Sequence, residues 1–111
     1  MGNSDAAQHI DAMRTAAGEA TALLSALANE NRLLLLCQLT KGEKSVSELE
    51  ELLDIHQPTL SQQLGVLRSE GLVNTRRDGK RIYYSVADER VLVLLGTMYE
   101  LFCPKEECEK S

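Results

Sequence analysis

Residues Ser45 to Val86 read SVSELEELLDIHQPTLSQQLGVLRSEGLVNTRRDGKRIYYSV, and the fold is decided in this stretch. Ser45-Val46-Ser47-Glu48 is a Ser-x-x-Glu capping box, in which hydroxyl and carboxylate satisfy the free amides of a helix start, so a helix begins near Val46. Val46, Leu49, Leu52 and Leu53 share one side of it before Asp54-Ile55-His56 breaks the period. Pro58 suits the first turn of a second helix, where its missing amide proton costs nothing. That helix buries Leu60, Leu64 and Leu67, runs to about Glu70 and stops at Gly71. From Leu72 to Arg77 and from Arg81 to Val86 the spacing changes to alternation rich in β-branched and aromatic residues. Asp78-Gly79 between them is expected at the centre of a two-residue hairpin turn. Two short helices joined by a tight turn of about three to four residues, then a hairpin, are the parts of a winged helix-turn-helix.

Upstream, the spacing of Ile10, Met13, Ala17, Ala20, Leu23, Leu24 and Leu27 predicts a helix from Asp5 to Ala28, broken near Gly18. A second, from about Glu30 to Leu39 with Asn29 as N-cap, is nearly apolar after its first turn and is expected to be buried on most sides. Downstream, Asp88 to Phe102 predicts a last helix, apolar on nearly every face over Val91 to Leu95. One small domain cannot cover such a helix, so part of it is expected against a second subunit. The fold class is thus mainly α with a β-hairpin wing, one domain over residues 1–111, with about 1–5 and 104–111 as flexible ends.

With 111 residues, 43% hydrophobic and 4% aromatic, the chain makes a small helical domain with little room for an enclosed catalytic cleft. No enzyme activity and no cofactor are expected. A segment resembling a signal peptide or a ~20-residue apolar span is not visible, and three cysteines without a regular framework suit a reducing compartment. The expectation is therefore a cytoplasmic protein with no membrane partner. The net charge of -5 at first argues against nucleic acid. Its distribution reverses that inference. Between Gln57 and Ala87 stand the basic residues Arg68, Arg76, Arg77, Lys80 and Arg81 against only Glu70 and Asp78. A lone basic hairpin tip is more often an edge protected from aggregation, but one directly after a helix-turn-helix points to double-stranded DNA. Gln57, Thr59, Ser61, Gln62 and Gln63 give the second helix uncharged groups for base edges, and the basic residues suit phosphate or minor groove. His56 suits the turn and His9 the surface better than a metal.

Leu27-Ala28-Asn29-Glu30-Asn31-Arg32-Leu33, Ser45 to Leu49, Leu60 to Val73 and Arg77 to Tyr84, in this order and spacing, resemble the ArsR/SmtB family of bacterial repressors over roughly Ala20 to Phe102. The resemblance implies a homodimer paired through its first and last helices, bound to an imperfect inverted-repeat operator and released by an inducer. Gln63, where the family often has His, and His56-Gln57-Pro58, where small hydroxyl residues are common, depart from its pattern.

Family inducer sites resembling Cys-x-Cys after the capping Ser, or Asp-x-His with a later His on the last helix, have no counterpart here. Leu36-Cys37-Gln38 and Leu101-Phe102-Cys103-Pro104 instead resemble the sulfide-responsive branch of BigR-, SqrR- and HlyU-like repressors. That resemblance implies redox sensing, in which persulfide or polysulfide joins Cys37 to Cys103 and frees the operator. Alone, Cys37 would read as a small core residue. A thiolate attacks sulfane sulfur and a second thiol then closes the bridge, as disulfide or longer polysulfide. Cys108 is a bystander or, with Cys37 and Cys103, part of a thiolate site for a soft metal or metalloid, the alternative inducer. A thiol oxidoreductase would carry Cys-x-x-Cys beside a βαβ unit, which Cys103 and Cys108 do not provide.

Overall fold

A computed structural model describes residues 2–103, with side chains from Gln8 onward. The order is α1 (Gly2–Leu27), α2 (Glu30–Leu39), β1 (Lys44–Ser45), α3 (Val46–Leu53), α4 (Thr59–Ser69), β2 (Val73–Asp78), β3 (Arg81–Val86) and α5 (Glu89–Phe102). The three strands form one antiparallel sheet in the order β1-β3-β2. This is the expected winged helix-turn-helix with one element added. The two-residue strand β1, pairing Lys44 with Tyr84 and Ser45 with Tyr83, is too short to announce itself by alternation.

The core is built around α2, whose Leu35 and Leu36 are inaccessible to solvent. Leu49 of α3, Leu60, Leu64 and Leu67 of α4, Leu72 and Val73 at the start of the wing, and Val91 and Leu95 of α5 close around them. Each fully buried Leu is worth roughly 1.5–3 kcal/mol, so this cluster fixes how α3 and α4 stand relative to the wing. Burial of α2 is one-sided, however. Leu34 is exposed, as is Leu52 of α3, which the sequence spacing had placed with Leu49 on the inward side.

Several boundaries depart from expectation for local reasons. Helix α1 is unbroken at Gly18 and already present from Gly2, where a loose start was expected. One helical Gly costs only about 1 kcal/mol relative to Ala, and Ala16, Ala17, Glu19 and Ala20 around it are good helix formers. The turn between α3 and α4 spans Asp54–Pro58, longer than expected, because Asp54 in the left-handed region (φ 53°) caps α3 and buried Ile55 anchors the crossing. Pro58 is the N-cap of α4 rather than a residue of its first turn, and the Gln57–Pro58 peptide is cis.

Capping accounts for the other ends. Ser45 accepts from the Glu48 amide at 3.2 Å while the Glu48 carboxylate accepts from the Ser45 amide at 2.9 Å, the reciprocal box expected of this spacing. Helix α4 ends in a Schellman motif: the Leu72 amide donates to the Leu67 carbonyl and that of Gly71 to Arg68, with Gly71 at φ 73°. The hairpin turn is shifted by one residue from the sequence expectation. Asp78 pairs with Arg81, leaving Gly79 and Lys80 at the centre, and only Gly79 has positive φ (63°). That is the φ pattern of a type II′ turn, which asks for Gly at the first central position alone. The shift puts Lys80 at the tip of the wing.

Candidate nucleic-acid interface and thiol groove

The start of α3, the exposed side of α4 and the wing enclose an open groove of about 510 Å³, lined among others by Gln57, Ser61, Arg68, Lys80 and Arg81. Five residues picked out from the sequence therefore meet on one surface. The capping box sets the start of α3, Leu60, Leu64 and Leu67 turn the opposite side of α4 inward, and the Schellman turn feeds directly into β2. Gln57, Thr59, Ser61 and Gln62 are all exposed on the first turn of α4 or just before it. The Ser61 hydroxyl donates to the Gln57 amide oxygen, so these two present themselves as a pair. Ser47 also lines the groove and was missed, because its role in the Ser-x-x-Glu spacing drew attention to its neighbours.

Two expected contacts are otherwise engaged. Gln63 is half-buried, and its Oε1 accepts from the Arg32 guanidinium at 2.9 Å. Arg32 also donates to the Ala26 carbonyl at 2.6 Å and the Ser25 carbonyl at 3.3 Å. Arg76 makes a two-point pair with Glu43 at 2.7 and 3.0 Å and lies over the Tyr83 ring, 4.7 Å from its centroid. The strand register puts Arg76 and Tyr83 on one face of the wing and Arg77, Ile82 and Tyr84 on the other, beside α4. Arg76 thus fixes the wing to the loop before β1 while Arg77 shares the groove face. The pairing pulls the Glu43 carboxyl below its ordinary value and raises Arg76. Hydrogen bonds from Ser45 likewise hold Glu48 low. Arg32 and Glu43 were not singled out, since a partner 31 or 33 residues away leaves no periodic trace.

A second groove, of about 530 Å³, lies between α2 and the end of α5. Cys37 and Cys103 both line it, with Leu33, Leu95, Met98 and Phe102, and they are not joined by a disulfide. Cys103 is the C-cap of α5, its amide donating to the Tyr99 carbonyl at 2.8 Å. Burial pushes the Cys37 thiol above its ordinary pKa, against a smaller opposing pull from Lys41. Cys108 lies outside the described residues, and among those described no group of three His, Cys, Asp or Glu side chains is placed to hold a metal. Nor is any described helix long and apolar enough to cross a membrane.

Comparison with known proteins agrees with this geometry. Residues 29–75, from the cap of α2 into β2, match the model of the bacterial regulatory protein, arsR family. The biofilm growth-associated repressor of Agrobacterium fabrum is 51% identical over 98 residues, 88% of this chain and 84% of that protein. The crystal structure of the transcriptional repressor BigR from Xylella fastidiosa superposes with a TM-score of 0.80 at 46% identity, covering 85% of this chain and 96% of that one. Reduced HlyU from Vibrio cholerae superposes with a TM-score of 0.79 at 39% identity, over 83% and 97%. By sequence, fold and the placement of its polar helix beside a basic wing, the chain belongs to the arsR family of bacterial regulatory proteins, DNA-binding transcription regulators and not enzymes.

Proposed function

We propose that the protein is a homodimeric repressor that leaves an inverted-repeat operator when persulfide or polysulfide joins Cys37 to Cys103. The observation that carries this reading is that the two thiols, far apart in sequence, line one groove between the central helix and the last helix. A relative at 39% identity is described in its reduced form, which makes redox state a variable for that protein. In this reading Gln57, Thr59, Ser61 and Gln62 read base edges from the major groove, and Arg68, Arg77, Lys80 and Arg81 contact phosphate. Gln63 and Arg76 act from behind, holding α4 and the wing in place. The dimer face is the exposed apolar side of α1 and α5, where Leu24 is 54% and Val93 72% accessible and both line a shared groove.

Cys37→Ser and Cys103→Ser variants are expected to bind the operator as the parent does and to keep it when a persulfide donor is added. Release from both variants as from the parent would defeat the proposal. Release by arsenite, cadmium or copper(I) with a thiolate-to-metal absorption band would replace it with a soft-metal site including Cys108.

A further inference from the structure

The groove at Cys37 and Cys103 is far larger than its chemistry requires. A diatomic or triatomic oxidant needs about the ~30 Å³ that one water occupies in the liquid. The space beside the thiols is about 530 Å³, within the ~300–1,000 Å³ of sites that hold organic ligands. Its walls are also of one kind. Leu33, Leu95, Met98 and Phe102 supply hydrocarbon, thioether and ring surface, Tyr99 adds a phenol, and among the described residues no charged side chain lines the space. Lys41, whose charge acts on Cys37, stands outside that lining. The DNA-facing groove of similar size has Glu50, Arg68, Lys80 and Arg81 in its walls, so apolarity is a property of the thiol groove and not of the surface at large.

We propose that this groove binds the organic body of the sulfur donor, so that the protein responds to hydropersulfides R–S–SH with an apolar R group in preference to those whose R group carries a charge. The inference rests on the sulfur-sensing reading of the same two cysteines. An apolar R group leaves water for the Leu33, Met98 and Phe102 surface, which lowers the free energy of the bound donor in proportion to the area covered. A carboxylate on the same chain would lose hydration there with no cation among the described lining residues to replace it.

The bound donor places its S–S bond beside the thiols. One cysteine, as thiolate, attacks the terminal sulfur; a new Sγ–S bond forms, the donor S–S bond breaks, and R–S⁻ leaves and takes up the proton. The second thiolate attacks the Sγ of the resulting Cys–S–SH and expels HS⁻. The net change is two Cys–SH plus R–S–SH giving Cys–S–S–Cys, R–SH and H₂S, in which the cysteines are oxidised and the sulfane sulfur is reduced. Persulfidation of both cysteines by two donors before closure gives the trisulfide, two R–SH and one H₂S. Burial disfavours the thiolate of Cys37, so a donor that dwells in the groove gains over one that must react on collision.

The test uses the full chain and methyl, propyl and hexyl hydropersulfides, with a six-carbon donor ending in a carboxylate. Modification of Cys37 and Cys103 is followed by mass spectrometry, and each rate is divided by that of the same donor with a free small thiol. The normalised rate is expected to rise about threefold to fourfold for each methylene that is buried, and the carboxylate donor to lose most of the hexyl gain. Phe102 lines the groove and is 78% exposed, so it adds little to the core: Phe102→Lys should flatten the length dependence and favour the carboxylate donor. Glu51→Lys, on an exposed residue of α3 outside both this groove and the dimer face, should change neither. Rates independent of chain length and charge, with DNA still released on oxidation, would overturn the organic-body site and leave the sensing function standing. No modification of either thiol by any donor would overturn the sensing function itself.

Discussion

The Arg32 guanidinium donates to Gln63 Oε1 across 2.9 Å while it holds the carbonyls of Ser25 and Ala26. One side chain on α2 therefore grips the last turn of α1 and the inward flank of α4. Gln63 sits one residue after exposed Gln62, yet its amide oxygen is engaged inside the protein. Gln63→Ala is expected to weaken binding by a similar factor for the operator and for operators altered at any single base pair, because it loosens the helix rather than removing a hydrogen bond to a base. A base-by-base competition series checks this; a loss confined to one base pair would mean that Gln63 reads it directly. Arg32→Lys cannot reproduce the planar three-point grip and should lower the unfolding free energy by roughly 1.5–3 kcal/mol, the worth of hydrogen bonds to a charged group.

The groove-lining and the clamped basic residues of the wing should separate in their salt dependence. Lys80→Ala with Arg81→Ala removes two groove-lining charges from each protomer, four from a dimer, and is expected to reduce the slope of log K against log salt by about 3.6, ~0.9 for each phosphate that is no longer neutralised. Arg76→Ala should leave that slope nearly unchanged, since its guanidinium already faces Glu43, and should instead lower Tm. Fluorescence anisotropy over a salt series measures both slopes.

Acid should undo the start of α3. The folded Glu48 carboxyl lies below its ordinary value, chiefly through the Ser45 amide and then the Ser45 hydroxyl. Its contribution is therefore complete above the unfolded carboxylate pKa and is lost as pH falls through the lowered folded value. Ser45→Ala, which removes the cap itself, is expected to cost about 1 kcal/mol at neutral pH. The Tm difference between the parent and Glu48→Gln should shrink as pH is taken from about 7 to about 3. Thermal melts across that range decide it.

For Cys37 the sign is opposite. Burial raises its pKa, so the neutral thiol is favoured in the folded state; that preference is fully present below the unfolded thiol pKa and is lost as pH rises through the folded value. Alkylation of Cys37 in a variant carrying both Cys103→Ser and Cys108→Ser should accelerate with pH along a curve displaced to higher pH than that of a free thiol. Lys41→Gln, which removes the opposing positive charge, should displace the curve further.

What could be read from the sequence was what depends on neighbours in the chain. The capping box at Ser45, the stop at Gly71 and the buried row Leu60, Leu64 and Leu67 are local patterns, and all three stand in the structure. The hairpin was legible but its turn was one residue out, since an Asp-Gly pair suits a different turn from the one that the Asp78–Arg81 pairing imposes. Strand β1, the Arg32–Gln63 bond and the Glu43–Arg76 clamp were not legible, because each depends on a partner about 30 to 40 residues away. The groove that unites Cys37 and Cys103 is of the same kind. Local sequence marked both thiols by resemblance, and only the packing of α2 against α5 puts them in one cavity.

Helix α2 carries Arg32 near its beginning and Cys37 near its end, about 7.5 Å apart along the axis at 1.5 Å per residue. From Glu30 to Leu39 it contains no glycine or proline that could absorb a bend. It is in effect a short lever set in the middle of the domain: strain applied to its cysteine end has no soft joint in which to dissipate before it arrives at the arginine that steadies α4.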